Sequence, residues 1–238
     1  MTEQMLGSLP AGGIAVVIGA SGGIGAALVE VLERSGRFDR VIGLGRSTTP
    51  RIDLLDEQTI ESAAASLVDA GELRLVITAT GFLHGPDQAP EKSWSELDPQ
   101  ALAHAFAINA TGPALLMKHV LPLLPRSGKV VFAALSARVG SIGDNRLGGW
   151  YGYRASKAAL NQLVRTAAIE LRRRRPEALC VALHPGTVDT ALSEPFRKSG
   201  LALQTPAAAA ARLLAVIEDL DAGHTGQAFD QNGAVIPW

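Results

Sequence analysis

The chain has 238 residues, 47% of them hydrophobic, with 22 basic and 23 acidic side chains and a net charge of −1; that is enough apolar material for one large core and no charge excess of the kind a nucleic-acid footprint needs. Its one cysteine, Cys180, excludes an internal disulfide framework and cannot alone hold zinc, which suits a reducing, cytoplasmic setting. The opening MTEQMLGSLPAGG has no basic region followed by an apolar one, and no segment approaches the roughly 18 apolar residues of a membrane span, so a soluble, unexported protein is expected, with neither membrane nor nucleic acid as partner.

Strand and helix then take turns. Residues 14–18 (IAVVI) form an apolar run suited to a strand covered on both faces, and helical spacing follows from Gly25 to about Arg34. Val41 to Leu44 is a second strand, and 57–70 a helix with Asp56 as its N-cap. Leu75 to Ile77 is a strand, 99–121 a helix, Lys129 to Phe132 a strand, and 151–174 a long helix stopped by Pro176. Cys180 to Leu183, a helix over 206–220 and Gln227 to Phe229 complete the series. This alternation predicts a parallel sheet wrapped on both faces by helices, a single α/β domain over 1–238 with no repeat or linker. The arginine run Arg172 to Arg175 reads as a solvated helix end that complements the dipole, with a phosphate or partner contact as the alternative.

Gly19-Ala-Ser21-Gly-Gly23-Ile24-Gly25 lies where the first strand turns into a helix. Glycine there permits positive φ and close approach of a ligand, and free N–H groups at a helix start attract an anion such as a dinucleotide pyrophosphate. The spacing is G-x3-G-x-G, and no G-K-[ST] follows. At the end of the second strand, where an acid would serve the ribose of NAD, the chain offers Arg46, which suits the 2′-phosphate of NADP; an exposed arginine is the alternative. Asp53 becomes the expected contact for the adenine end, or simply an acid opening the next helix.

Tyr153-Arg-Ala-Ser-Lys157 sets a phenol and an ammonium four residues apart, on one helix face near its start. A nearby cation favours phenolate and can turn a phenol into a working general acid and base.

These residues resemble the short-chain dehydrogenase/reductase family. The glycine turn, Asp53-Leu54, Asn109, Tyr153 with Lys157, and Pro185-Gly186-Thr187-Val188-Asp-Thr190 occur in that family's order over almost the whole chain. The stretch Gly149 to Asn161 and the ending Ile236-Pro237-Trp238 look closest to the C-factor and sniffer carbonyl-reductase branch. The resemblance implies a Rossmann-type doubly wound parallel sheet of about seven strands. It implies hydride transfer between nicotinamide, NADP(H) in preference to NAD(H), and a small carbonyl or alcohol substrate. Tyr153 exchanges the proton of the substrate oxygen, and Lys157 holds the nicotinamide ribose. Pro185, Gly186, Thr187, Val188 and Thr190 grip the carboxamide, while Gly19, Ser21, Gly23, Ile24 and Gly25 meet the phosphates. Self-association through the helices at 99–121 and 151–174 is expected, with a substrate lid at 191–205 in which Leu192 and Phe196 join Trp150 in an apolar pocket, or Arg138 and Arg146 attract an anion.

Asn109 has separate support. Pro113 lacks an N–H, so the carbonyl of Asn109 loses its helical partner and is free for a water; a plain kink is the alternative. In the family such an asparagine holds a water that reaches the lysine.

The pattern fails in two places. Where the family has a serine three residues before a glycine, this chain has Ala137, so Ser136, or failing it Ser141, would have to orient the substrate oxygen. The family's N-N-A-G is Thr78-Ala79-Thr80-Gly81, where Gly81 still allows close approach to the cofactor. The histidines, His84, His104, His119, His184 and His224, have no metal-ligand spacing, so no metal site is read, and a Cys180 and His184 nucleophile pair is disfavoured because Cys180 lies in an apolar strand. Two other functions compete: a cofactor-binding signalling or scaffold protein with little catalysis, and an epimerase or dehydratase using the same tyrosine.

Overall fold

In the computed structural model, residues 6–86, 88–193 and 203–238 are described. Six strands pair in parallel in the order β2-β1-β3-β4-β5-β6, against the about seven expected of a doubly wound sheet. They are β1 (Ile14–Ile18), β2 (Arg40–Leu44), β3 (Leu73–Thr78), β4 (Val130–Leu135), β5 (Ala178–Leu183) and β6 (Ala228–Phe229). The helices are α1 (Gly23–Ser35), α2 (Glu57–Leu67), α3 (Pro99–Phe106), α4 (Gly112–Val120), α5 (Tyr151–Arg172) and α6 (Pro206–Asp219).

The strands are continuous apolar runs because both faces are covered. Ile14, Val16 and Ile18 of β1, with Val130, Phe132 and Ala134 of β4, pack on one side against Ile60 of α2, Leu116 and Val120 of α4, and Leu160 and Val164 of α5. The intervening Ala15, Val17, Val131, Ala133 and Leu135 pack on the other against Leu28 and Leu32 of α1 and Leu213 and Ile217 of α6. A strand's period of two thus supplies two cores from one sheet. Helix starts are fixed locally: Asp56 accepts from Gln58 N at 3.1 Å, as expected, and Asp98 accepts from Ala101 N at 2.7 Å.

Two expectations are corrected. The helix over 99–121 is interrupted: α3 and α4 are joined by a π-helical turn, Ala107–Thr111, in which Gly112 N donates to Ala107 O five residues back. Pro113 supplies no N–H at this point, so the regular ladder cannot run through it. The arginine run is not wholly solvated either. Helix α5 ends at Arg172, and Arg175 donates through Nε to Leu124 O and through Nη2 to Pro122 O, both at 2.6 Å, tying the loop before β4 to the end of α5.

β1 pairs with β2 on one side and β3 on the other, so the chain reverses direction across the sheet there. In such sheets ligands bind beyond the carboxyl ends of the strands at the reversal.

Candidate active site

That edge gathers the segments singled out from the sequence. At the end of β1, Gly19 has φ of 89°, and a Cβ on Gly25 would stand 2.1 Å from Gly19 O, so α1 rests directly on the turn. Its N-cap, Gly22, contributes no side-chain hydrogen bond and its first turn holds no acid. The positive end of the helix is therefore open to an anion. Gly23 packs on Thr190, and Ile24 lines the cavity described below.

Beyond β2, Arg46 is exposed, and Ser21 Oγ lies 3.7 Å from the Cβ position of Gly45, so Ser21 and Arg46 share one corner. Asp53 accepts from Leu55 N at 3.1 Å and pairs with Arg51 at 2.7 Å; the Leu55 amide first, then Arg51 and Arg46, hold its carboxyl below the usual range against the opposing effect of burial. Leu54 packs against Gly112, at the start of α4.

Tyr153 and Lys157 lie in the first two turns of α5, as their spacing requires. The Lys157 Nζ is 5.9 Å from the centre of the Tyr153 ring and donates to Leu135 O at 2.8 Å. A Cβ on Gly81, just past β3, would be 3.6 Å from that Nζ and 3.7 Å from Asn109 Oδ1, so the four residues form one knot. Asn109 is fully buried in the π-helical turn. Its Oδ1 accepts from Phe82 N at 2.8 Å, and its Nδ2 donates to Phe82 O at 2.7 Å and Ser156 Oγ at 3.0 Å. It thereby ties the end of β3 to α5.

Burial pushes the Tyr153 phenol up to about 12 and the Lys157 ammonium down to about 8. Both shifts have one cause: the folded chain withdraws the charged form from water. At neutral pH the phenol is a proton donor and the lysine is mostly charged.

A cavity of about 570 Å³ opens beside this pair, and its wall includes Tyr153, Trp150, Ser136, Ala137, His184 and Thr187. Of the two serines proposed to replace the hydroxyl missing at Ala137, Ser136 is in that wall, but its Oγ donates to Asn161 Oδ1 at 2.7 Å. Ser141 is buried and its Oγ accepts from Asp144 N at 3.1 Å. Past β5, Pro185, Gly186, Thr187, Val188 and Thr190 also line the cavity. Gly186 has φ of 77°, a conformation that favours glycine, and a Cβ there would also displace the end of the Gln231 side chain. Of the expected lid, 194–202, including Phe196, lies outside the described residues; Leu192 is in the cavity wall.

Three residues of the site were not read from the sequence as parts of it. Glu91, buried, accepts from Gly152 N through both carboxylate oxygens at 3.3 and 3.2 Å and so caps α5 from a distant loop. Gln204 donates to Pro185 O and Gln231 Oε1, while its own Oε1 is buried with no partner among the described residues. His184 lines the cavity with a neutral ring, since burial first, then the charge of Arg138, pushes it down to about 4 against the pull of Asp230. Its position immediately before Pro185-Gly186 was the available signal. Cys180 is buried and burial pushes its thiol up to about 12, in keeping with an inert strand residue.

A family profile described as enoyl-(acyl carrier protein) reductase matches residues 19–222. The 1-hydroxy-2-glutathionyl-2-methyl-3-butene dehydrogenase of Rhodococcus sp. (strain AD45) is 30% identical over 94% of this chain and 98% of its own. The C-signal protein of Myxococcus xanthus is 38% identical over 60% of this chain and 82% of its own. Among solved structures, the NADPH-bound carbonyl reductase from chicken fatty liver superposes with a TM-score of 0.81 at 25% identity, covering 94% of each chain. The carbonyl reductase Sniffer of D. melanogaster shares the fold with a TM-score of 0.80 at 21% identity, covering 97% of this chain and all of the other. With a profile match spanning most of the chain and a dehydrogenase relative along nearly all of it, the chain belongs to the short-chain dehydrogenase/reductase family and is one of its oxidoreductases.

Proposed function

We propose that this chain is an NADP(H)-dependent carbonyl reductase or alcohol dehydrogenase in which Tyr153 is the general acid and base. The observation that carries the reading is a buried ammonium, Lys157, 5.9 Å from the ring of a phenol that lines a cavity. A dinucleotide fits the residues present. The uncapped start of α1 suits the pyrophosphate, the space over Gly81 beside Lys157 suits the ribose, and Gln204 Oε1, next to Pro185 and Gly186 and without a partner among the described residues, is an acceptor suited to a carboxamide. When bound, NADP(H) supplies or accepts the hydride.

The rest is the work of the chain itself. In reduction, Tyr153 gives its proton to the substrate oxygen as negative charge develops there. In oxidation the phenolate has to form, and the Lys157 charge favours it. Leu135 O takes one N–H of Lys157 and leaves the others for ribose hydroxyls. Asn109 opens the helix so that its main-chain oxygen can seat a water between Lys157 and solvent. Ser136 lines the substrate space, with its hydroxyl proton held by Asn161. Ser21 and Arg46 favour NADP(H), since they put a hydroxyl and a guanidinium in the corner where a 2′-phosphate would lie; the chicken neighbour is NADPH-bound.

NADPH oxidation across a panel of aldehydes and ketones is expected to show turnover, and Tyr153→Phe to lower kcat by about a thousandfold. The second reading is a cofactor-binding signalling protein, favoured by Ala137 and by the likeness to the C-signal protein. Tight NADPH binding with no turnover on any substrate would establish that reading instead.

A further inference from the structure

The neutral imidazole of His184 occupies the same wall as Ala137. Ser136 N donates to Leu183 O at 2.8 Å, and Leu135 pairs with Leu183, so Ser136-Ala137 and His184 leave the sheet side by side at the ends of two neighbouring strands. His184 N is itself fixed to Phe229 O at 2.8 Å. His184 and Ala137 are thus brought to one cavity wall on a rigid support. The His184 Nδ1 is sealed from solvent and has no hydrogen-bond partner among the described residues. A proton there would be a buried, unpaired donor, so the neutral ring carries its proton on Nε2.

A carbonyl oxygen gaining negative charge is best met by preorganised donors, and Tyr153 is one. Ser136 has spent its proton on Asn161, and Ser141, which accepts from Asp144 N, does not line the cavity, so neither serine supplies the hydroxyl missing at Ala137. We propose that His184 supplies the second donor: its Nε2–H donates to the substrate oxygen opposite Tyr153 and takes over the orienting role that Ala137 cannot perform. The proposal rests on the reading of Tyr153 as the acid. It needs no charge on the ring, because the donor is the neutral N–H.

The test is a cycle of variants on the intact enzyme. His184→Ala is expected to lower kcat about a hundredfold, the effect of losing one such donor, while NADPH affinity measured by fluorescence stays within twofold. Ala137→Ser, by restoring the hydroxyl, is expected to recover at least tenfold of that loss in the His184→Ala background. A His184→Ala enzyme with kcat within twofold of wild type overturns the proposal, as does a loss that Ala137→Ser does not relieve. If the wild type turns over no carbonyl while Tyr153→Phe matches it, the reading of the site has failed and the proposal falls with it. Should His184→Ala not fold, imidazole ¹⁵N spectra of the wild type decide. The His184 Nε2–H signal must shift when an unreactive amide analogue of the ketone is added with NADP+. A proton on Nδ1, or an unmoved signal, overturns the proposal.

Discussion

Lys157 is 2% exposed and burial pushes it down to about 8, so its charge is held at a cost to the fold. Between about pH 8 and the ordinary lysine value of about 10.4 the folded protein has shed a proton that the unfolded chain keeps, so stability rises with pH across that window. Below it the full penalty remains, on the order of 3 kcal/mol. Lys157→Met, which leaves Leu135 O short of a donor but removes the buried charge, is expected to abolish activity and yet raise Tm at pH 7 by about 5 °C. The gain should shrink by pH 9.5, still below the range in which Tyr153, shifted the opposite way, begins to destabilise the fold. Thermal denaturation at both pH values checks it: a gain independent of pH would show that folded Lys157 keeps its proton across that range, as the unfolded chain does, and that burial has not lowered its pKa. The pair was legible in the sequence because helix period alone puts residues 153 and 157 on one face. His184 was not, because an imidazole before a proline acquires a role only from what two strand ends place around it.

At the scale of elements, α5 carries both residues, yet its own start has no local cap: Trp150 is in the left-handed region, with φ of 53°, and gives no side-chain cap hydrogen bond. Glu91 makes up the difference by placing a carboxylate on the Gly152 amide and on the positive end of a 22-residue helix. Glu91→Ala is expected to cost about 1–2 kcal/mol, a fall in Tm of about 3–6 °C, and Glu91→Gln, which keeps an acceptor, roughly half as much. Because the first turn holds Tyr153, kcat should fall further than NADPH affinity; equal losses would make Glu91 a general stabiliser and not a support of the phenol. The contrast with the π-helical turn shows what sequence can disclose. Pro113 announces the break near Asn109 by chemistry confined to its own few residues. Glu91 lies 61 residues from the amide it caps, and nothing local marks it.

For the molecule as a whole, the strand-helix alternation and the glycine turn mark the sheet edge proposed for a dinucleotide, and the proposed choice of NADP(H) turns on Ser21 and Arg46, which lie just past β1 and β2. Two such strands, adjacent in the sheet, are brought together by the fold and not by their separation along the chain. Binding to the folded state alone raises stability by RT ln(1 + [L]/Kd), so thermal shift reads cofactor preference without any substrate. If Arg46 binds the 2′-phosphate, a tenfold tighter Kd for NADPH than for NADH corresponds to about 1.4 kcal/mol, and at equal saturating concentrations the NADPH complex should melt about 3–5 °C higher. Arg46→Ala should erase that gap by lowering the NADPH shift and leaving the NADH shift unchanged. It should also make the NADPH shift less sensitive to salt, since an exposed guanidinium-phosphate contact is screened. Equal losses with both cofactors would remove Arg46 from the 2′-phosphate.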